Sequence, residues 1–227
     1  HARLHDTLDS VLFFEANYPQ QQFYLIPWSW RFFAHHRVES KASTSWLAPL
    51  YRIYSFFVID LGLHIIIYTL AKLLRLAWPI RLFFKRIVLL TMIRNWKIVE
   101  NSSVTLTMQH ELFRHIEIEV FVQRSQLNAA TQFLIDVVSV FGGQEVRCRQ
   151  STEALLRKIG CWDKLEQYKG AYVHHYPICY RRILTDDTLI SMASPNERND
   201  EDWYSISLIS YQWPSDRHGF FAFADFV

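Results

Sequence analysis

An acidic and a basic side chain alternate at Glu145 and Arg147, with Val146 between them. If this stretch is a β-strand, residues two apart lie on the same face, so the carboxylate and the guanidinium stand side by side. Such a pair can hold a polyhydroxylated ligand, because the carboxylate accepts hydrogen bonds from hydroxyl groups and the guanidinium donates them. Arg149 shares that face and favours an anionic group there. The alternative is a surface ion pair, which contributes less than about 1 kcal/mol to stability.

The histidines do not predict a metal site. His35 and His36, like His174 and His175, are neighbours in predicted strands, so the two side chains of each pair point to opposite faces. The sequence also contains none of the motifs GxSxG, HExxH and GxGxxG, and no phosphate-binding P-loop. These patterns argue against a zinc site, a serine-hydrolase site and a nucleotide-binding loop within this chain.

Composition indicates a folded globular protein. The chain has 227 residues, of which 50% are hydrophobic and 16% aromatic, and its formal net charge is +2. These values exclude a disordered tail, a collagen-like chain and a small disulfide-stabilised protein. Cys148, Cys161 and Cys179 are odd in number and fit no zinc pattern, so we expect a reducing compartment and a cytoplasmic location. Residues 23–37 are more apolar than basic, so we expect no nucleic-acid partner.

The candidate Glu–Arg pair must be positioned by regular structure, and the residues before it predict a strand and a helix. Residues 115–124 alternate apolar and polar side chains, which is the period of a half-buried strand. Residues 127–141 carry apolar side chains on one helical side. Ser125 is the expected N-cap of this helix, and Gly142 and Gly143 are expected to end it.

The elements on either side predict the fold class. A strand predicted at 145–149 completes a βαβ-like unit with the strand at 115–124 and the helix at 127–141, and Ser151 is expected to cap a second helix that ends near Gly160. The whole pattern predicts an α+β fold, an antiparallel sheet with helices on one face. The other predicted elements are a short helix or strand at 8–16, strands at 22–27, 30–37, 172–184, 188–193 and 203–213, alternating β-forming residues at 96–107, and a helix that begins at 219.

Residues 50–94 differ from the rest of the chain in charge. Seven basic residues and one acid, Asp60, give this stretch a charge of +6, which leaves −4 for the remainder of a chain whose total is +2. A basic and apolar segment suggests contact with an anionic membrane surface. The alternative is a buried helical hairpin whose long basic side chains extend to water.

The same stretch predicts two helices, over 46–75 and 77–94 with a break near Pro79, which form an apolar helical hairpin inserted at 44–95. Residues 53–74 are long enough to span a bilayer, but Asp60 and His64 are costly at its centre. We therefore expect helices that lie on a membrane or against the rest of the fold, and a protein that is cytoplasmic or peripherally bound to a membrane.

Several short motifs resemble one family. Residues 119–124, E-V-F-V-Q-R, are similar to the E-Y-F-V-P-R strand in the substrate (cap) domain of vanillyl-alcohol-oxidase-type FAD flavoproteins, with Gln123 in place of proline. Residues 145–147, E-V-R, resemble the E-I-R of that domain, and residues 22–27 with Trp28 resemble its F-x-W-F-P strand. The resemblance is to the branch of D-arabinono-1,4-lactone oxidases and alditol oxidases. The compact alditol oxidases have no counterpart of residues 44–95.

The resemblance implies a cap domain at residues 1–43 and 96–227, in a fragment of an FAD-dependent oxidoreductase that transfers hydride from a substrate C–H to flavin N5. Glu145 and Arg147 would be the catalytic pair that orients the hydroxyl groups of a sugar lactone or polyol. Ser207, or alternatively Ser210, would contact the same substrate.

The chain departs from the family at both ends. It has neither the flavin-linking histidine and phosphate loop that precede the cap domain nor the His-Trp-Gly-Lys that follows it. We therefore expect a piece of a longer protein in which FAD is bound mainly by another domain.

Two other functions remain open from the sequence. One is a membrane-associated binding or scaffold protein, in which the hairpin is the functional part and the Glu–Arg pair is structural. The other is a flavoprotein of the same superfamily that acts on a lipid or sterol, in which the apolar hairpin guides the substrate.

Overall fold

The computed structural model describes residues 2–18, 20–70, 77–92, 94–106, 115–145, 148–185, 201–211 and 214–227. Within them, six strands form one sheet in the order β1-β3-β2-β5-β6-β4, and every neighbouring pair is antiparallel. The predicted α+β class is confirmed. The strands are β1 (Ala2–His5), β2 (Gln20–Ile26), β3 (Arg31–Arg37), β4 (His115–Gln123), β5 (Ile178–Ile183) and β6 (Trp203–Tyr211).

The two faces of the sheet differ in polarity because side chains alternate along each strand. On β4, the alternation predicted from the sequence is confirmed: Ile118 lies beside Leu208 on one face, and Glu119 lies beside Ser207 on the other. We call these the apolar face and the polar face. The apolar face presents the buried side chains of Phe23, Leu25, Phe32, Ile178, Tyr180, Tyr204, Ile206 and Leu208.

Helices of the second half of the chain cover the apolar face. The buried hydroxyls of Thr131 on α7 and Tyr180 on β5 lie near each other, and the rings of Phe141 and Phe223 pack edge to face at 5.4 Å. The core therefore lies between the sheet and these helices. The helices are α1 (Leu8–Leu12), α2 (Ala48–Tyr54), α3 (His64–Thr69), α4 (Ala77–Leu82), α5 (Leu89–Thr91), α6 (Ser102–Leu106), α7 (Leu127–Phe141), α8 (Gln150–Lys158), α9 (Trp162–Gln167) and α10 (Pro214–Phe226).

The predicted hairpin is present as two helices. The first, Ala48–Thr69, is continuous, because a π-helical segment, Ser55–Leu63, joins α2 to α3. The second covers residues 77–91, where the π-helical segment Phe83–Val88 joins α4 to α5. By length and composition alone, Ala48–Thr69 is apolar enough to cross a membrane.

The strand predicted at 145–149 is absent from the described residues of that stretch, so the βαβ-like unit is wrong. The reason lies in Asp136 of α7, whose buried carboxylate accepts hydrogen bonds from the amide of Arg149 at 3.0 Å and the hydroxyl of Thr152 at 2.6 Å. These bonds hold the connection against α7 and start α8 there. The described residues of this connection consequently do not pair with a strand of the sheet.

Neither predicted serine cap is used. The hydroxyl of Ser125 donates to Glu201 at 2.7 Å, and α7 begins after Gln126 without a side-chain cap. Helix α8 begins at Gln150, so Ser151 lies inside its first turn. At the start of α8, the amide of Arg149 donates instead to Asp136, which lies on α7. The local sequence pattern does not reveal this contact.

Other boundaries also differ from the prediction. The described part of 96–107 contains α6 and no strand, and the amide of Val99 donates to Ser45. The strand predicted at 172–184 is shortened to β5, because the carbonyl of His174 accepts a hydrogen bond from the indole of Trp28 at 2.9 Å instead of pairing with a strand. The strand predicted at 188–193 lies outside the described residues. The sequence pattern does not predict β1 or α9.

A close contact between Trp28 and Gly142 joins the β2–β3 turn to the end of α7. Trp28 is 4% exposed, and a Cβ atom placed on Gly142 would lie 2.2 Å from an indole carbon. Real atoms do not approach so closely, so any side chain here must displace the buried indole. Glycine at 142 is therefore required by packing, in addition to its role in ending the helix.

We expect Gly142→Ala to lower the free energy of unfolding by roughly 3 kcal/mol, because the added methyl group overpacks the buried indole. Gly160→Ala is the matched control: its φ of +72° disfavours alanine, but nothing lies within 4 Å of the new Cβ. The control should cost about 1 kcal/mol. Urea unfolding measures both losses, and equal losses would mean that the Trp28 contact is not the reason for glycine at 142.

Candidate functional site

The three predicted site residues are not brought together by the described structure. Glu145 is exposed in the connection between α7 and α8, and Arg147 lies outside the described residues. Ser207 is fully buried at the centre of β6, on the polar face. The alternative, Ser210, lies on the opposite face, where its hydroxyl is 3.4 Å from Nε2 of His175.

Ser207 lies between two polar neighbours on adjacent strands. Its Cα partners are Glu119 on β4 and Cys179 on β5. The Ser207 hydroxyl donates to Oε1 of Glu119 at 3.3 Å. The carboxylate of Glu119 is exposed, so it can accept further hydrogen bonds from a ligand while Ser207 holds it.

The polar contacts continue across β5, β2 and β3. Gln22 donates from Nε2 to the Cys179 sulfur at 3.3 Å, and its Oε1 accepts from Arg37 at 2.8 Å. Arg37 also donates to Nδ1 of His35 at 3.2 Å. We call this continuous set the polar row, and it crosses five strands. Its members are Glu119, Ser207, Cys179, Gln22, Arg37 and His35.

Burial fixes the protonation states of two members of the row. Burial raises the pKa of the Cys179 thiol, so the sulfur is protonated at neutral pH and is not a nucleophile. Burial, together with the neighbouring Arg37 guanidinium, lowers the pKa of His35 to about 3. His35 is therefore neutral at physiological pH and accepts the hydrogen bond from Arg37.

Two further residues extend the hydrogen-bonding capacity of the polar face. Arg181 lies next to Gln22 in the register, is exposed, and interacts electrostatically with Glu117 and Glu119. Ser205 is 1% exposed, and its hydroxyl has no hydrogen-bond partner among the described residues. A buried hydroxyl without a partner is unfavourable, so a ligand group at this position would be stabilised. The face thus offers exposed carboxylate acceptors and a guanidinium to a hydroxylated ligand, with the hydroxyl groups of Ser205 and Ser207 buried beneath them.

The hairpin approaches the polar face at both ends of its first helix. Near the start of the helix, Tyr51 lies close enough to Arg37 for the two groups to interact electrostatically. Near its end, Nδ1 of His64 lies 2.5 Å from the hydroxyl of Tyr211 and 3.1 Å from that of Tyr176. The first helix of the hairpin therefore borders the polar face of the sheet.

Sequence reasoning found Ser207 but missed most of the polar row. Gln22 and Cys179 are 157 positions apart, and only the pairing of β2 with β5 brings them into contact. The acidic residues of β4 were the one available signal, because their alternation with apolar residues shows that they share a face. No local pattern relates that face to Arg37 or His35.

No protein-family model matches the chain. Over 225 residues, the chain is 44% identical to a protein named long-chain alcohol oxidase from an uncultured marine euryarchaeote. The alignment covers 99% of this chain and 46% of that relative, so the chain spans less than half of the relative's length. Since almost every residue is aligned, the similarity runs through the hairpin as well as the sheet.

We expect stability to decrease as the pH falls from about 6.5 toward 3, partly because of His35. The unfolded histidine, with a pKa near 6.5, binds a proton in this range that the folded side chain does not bind. The slope from one such group is at most about 1.4 kcal/mol per pH unit. His35→Gln keeps a hydrogen-bond acceptor for Arg37 and removes this slope, which denaturant unfolding at several pH values measures.

The control for this measurement is His218→Gln, because His218 is exposed on α10 and lies outside the polar row. Its pH dependence should match that of the parent protein. If His35→Gln also leaves the slope unchanged, then His35 is protonated in the folded state and does not accept the bond from Arg37.

Proposed function

We propose that the chain is the substrate-facing part of an oxidoreductase that uses FAD to oxidise a CH–OH group. The observation that carries the proposal is the polar row, which gathers a carboxylate, a hydroxyl and a neutral imidazole on one face of the sheet. It is supported by the 44% identity to a protein named as an alcohol oxidase and by the motifs that resemble the cap domain of FAD flavoproteins.

FAD would be held mainly by residues outside this chain, because the sequence contains no Gly-rich phosphate loop. The described residues nevertheless fit a role at the flavin ring and its substrate. The exposed guanidinium of Arg181 can donate to a polar group placed over the face. When bound, FAD supplies the acceptor for hydride from the substrate carbon.

The residues of the chain would bind and orient the alcohol. Glu119 accepts a hydrogen bond from the substrate hydroxyl while Ser207 fixes the orientation of the carboxylate. Glu145 and Arg147 are proposed, from the resemblance to the cap domain, as an alternative catalytic pair that would orient and polarise the substrate hydroxyl at a position separate from the polar row. The protonated thiol of Cys179 fills the row without reacting.

A long aliphatic alcohol is the substrate class that we favour. The relative is named for long-chain alcohols, and the hairpin beside the polar face exposes large apolar side chains, among them Ile53 and Phe57. A sugar lactone or polyol is the second candidate, because the carboxylate and guanidinium groups of the polar face suit several hydroxyl groups at once.

We expect Glu119→Gln to reduce kcat/KM for alcohol oxidation by roughly 10- to 100-fold in the full-length protein. Glu145→Gln and Arg147→Ala should cause this loss instead if the alcohol binds at that pair. Each change removes a charged hydrogen-bonding group, and such bonds contribute about 1.5–3 kcal/mol. Oxygen consumption measures the rates. Glu153→Gln and Arg157→Ala alter an ion-paired Glu–Arg couple on α8 and should leave the rate unchanged. Normal turnover in the Glu145 and Arg147 variants would reject their catalytic role.

The substrate classes can be separated by chain length. For linear primary alcohols we expect kcat/KM to rise about 3- to 4-fold for each added methylene that becomes buried, because burial of a CH₂ contributes about 0.8 kcal/mol. Polyols and aldonolactones of similar size should react more slowly. Faster turnover of xylitol or an aldonolactone than of dodecanol would favour the sugar candidate and retain the site assignment.

A further inference from the structure

The hairpin exposes more apolar surface than a core element does. In the most hydrophobic 18-residue window of the first hairpin helix, only 6% of the residues are buried. In α7, nine of the 15 residues are buried. Large contiguous apolar surfaces on a folded protein mark sites of interaction. We call the exposed part the outer hairpin surface, defined by Leu50, Ile53, Phe57, Trp78, Leu82, Ile87 and Leu90, which are 46–80% exposed.

The second hairpin helix has two distinct sides. Phe83, Phe84 and Val88 are buried against the rest of the protein. The exposed side combines apolar Leu82 and Leu90, which are 49% and 80% exposed, with the basic residues Lys85 and Arg86. Apolar side chains that alternate with lysine and arginine on an exposed helical side are typical of helices that lie in the interface of a bilayer.

Charge identifies the kind of bilayer. Lys85 and Arg86 are exposed beside the apolar side chains. Asp60 is the only acid among residues 50–94, which carry a charge of +6. A basic surface of this kind is attracted to anionic lipid headgroups by about 1 kcal/mol for each lysine or arginine near the membrane. The surface therefore suits an anionic bilayer better than a neutral one or an acidic-rimmed protein.

Contacts with the rest of the fold oppose a transmembrane orientation. Near its start, the first helix is held by the ion pair of Arg52 with Glu100 at 2.6 Å, and near its end by the 2.5 Å contact of His64 with Tyr211. The second helix is held by Arg81, which donates to the carbonyl of Gly142 at 3.1 Å. A helix tied at both ends to the folded domain lies along it and cannot cross the hydrocarbon core without breaking these contacts.

We propose that the outer hairpin surface docks on an anionic lipid bilayer. Trp78, Leu82 and Leu90 enter the interfacial region, while Lys85 and Arg86 contact the headgroups and the helices lie parallel to the membrane plane. This docking does not depend on the oxidase function. If both hold, the polar face receives alcohols that are dissolved in the lipid.

Flotation of the full-length protein with vesicles tests the docking. One set contains about 30 mol% phosphatidylserine in phosphatidylcholine, and the other contains phosphatidylcholine alone. We expect binding to the anionic vesicles at about 0.1 M salt and much weaker binding at about 0.5 M salt, since salt screens the charge interaction. Lys85→Gln with Arg86→Gln should weaken binding roughly 30-fold. Leu82→Ser with Leu90→Ser should weaken it roughly 10-fold or more.

The part of the chain around α8 and α9 offers matched controls. Leu155 on α8 and Ile159 just after it are 46% and 56% exposed, so Leu155→Ser with Ile159→Ser makes the same kind of change elsewhere. Lys158→Gln with Lys169→Gln, two exposed lysines, controls for charge. Both control pairs should bind within about 2-fold of the parent, because they lie outside the docking surface.

Three outcomes would overturn the proposal. The first is parent-like binding by the hairpin variants, or equal losses in the control pairs. The second is resistance to extraction by alkaline carbonate, which would mean that the hairpin spans the membrane. The third is the absence of vesicle binding together with a change from dimer to monomer in the Leu82→Ser and Leu90→Ser variant, which would identify a second copy of the chain as the occupant of the surface.

Discussion

Ser207 on β6 lies between Glu119 on β4 and Cys179 on β5, and this cross-strand register determines which side chains meet on each face of the sheet. Because side chains alternate along a strand, a shift of one residue would exchange the two faces. The observed register puts Tyr204, Ile206 and Leu208 on the apolar face, which the helices cover, and leaves Ser205 and Ser207 on the polar face. The core and the polar row are thus two consequences of one arrangement.

The polar face is bordered by the hairpin, and the two features together suggest how the protein works. In the proposed function the row would bind the hydroxyl group of the substrate, while the hairpin lies close to it through the contact of His64 with Tyr211. A long-chain alcohol has both a polar end and an apolar tail. The alignment with the euryarchaeal relative covers 99% of this chain, so it includes the segment of the hairpin as well as the strands.

Asp136 illustrates why the candidate Glu–Arg segment was predicted incorrectly. The pattern at residues 145–149 favours a strand, but a buried carboxylate on α7 binds the amide of Arg149 and the hydroxyl of Thr152 instead. Buried carboxylates require such partners, because desolvation without hydrogen bonds is costly. The partners come from 13 and 16 residues away, beyond the range of capping patterns in the sequence.

Periodicity in the sequence by itself determined the long elements: β4, α7 with its glycine end, β6 and the hairpin helices all follow from spacing along the chain. The residue types at 50–94 determined the charge of the hairpin, and the alternation along β4 determined the face on which Glu119 lies. Only the tertiary structure decided that Glu119 meets Ser207, that Gln22 meets Cys179 and that Trp28 requires glycine at 142. The physical reason is that propensity and alternation act between near neighbours, whereas register and packing join residues that are far apart in the sequence, 88 positions for Glu119 and Ser207 and 157 for Gln22 and Cys179.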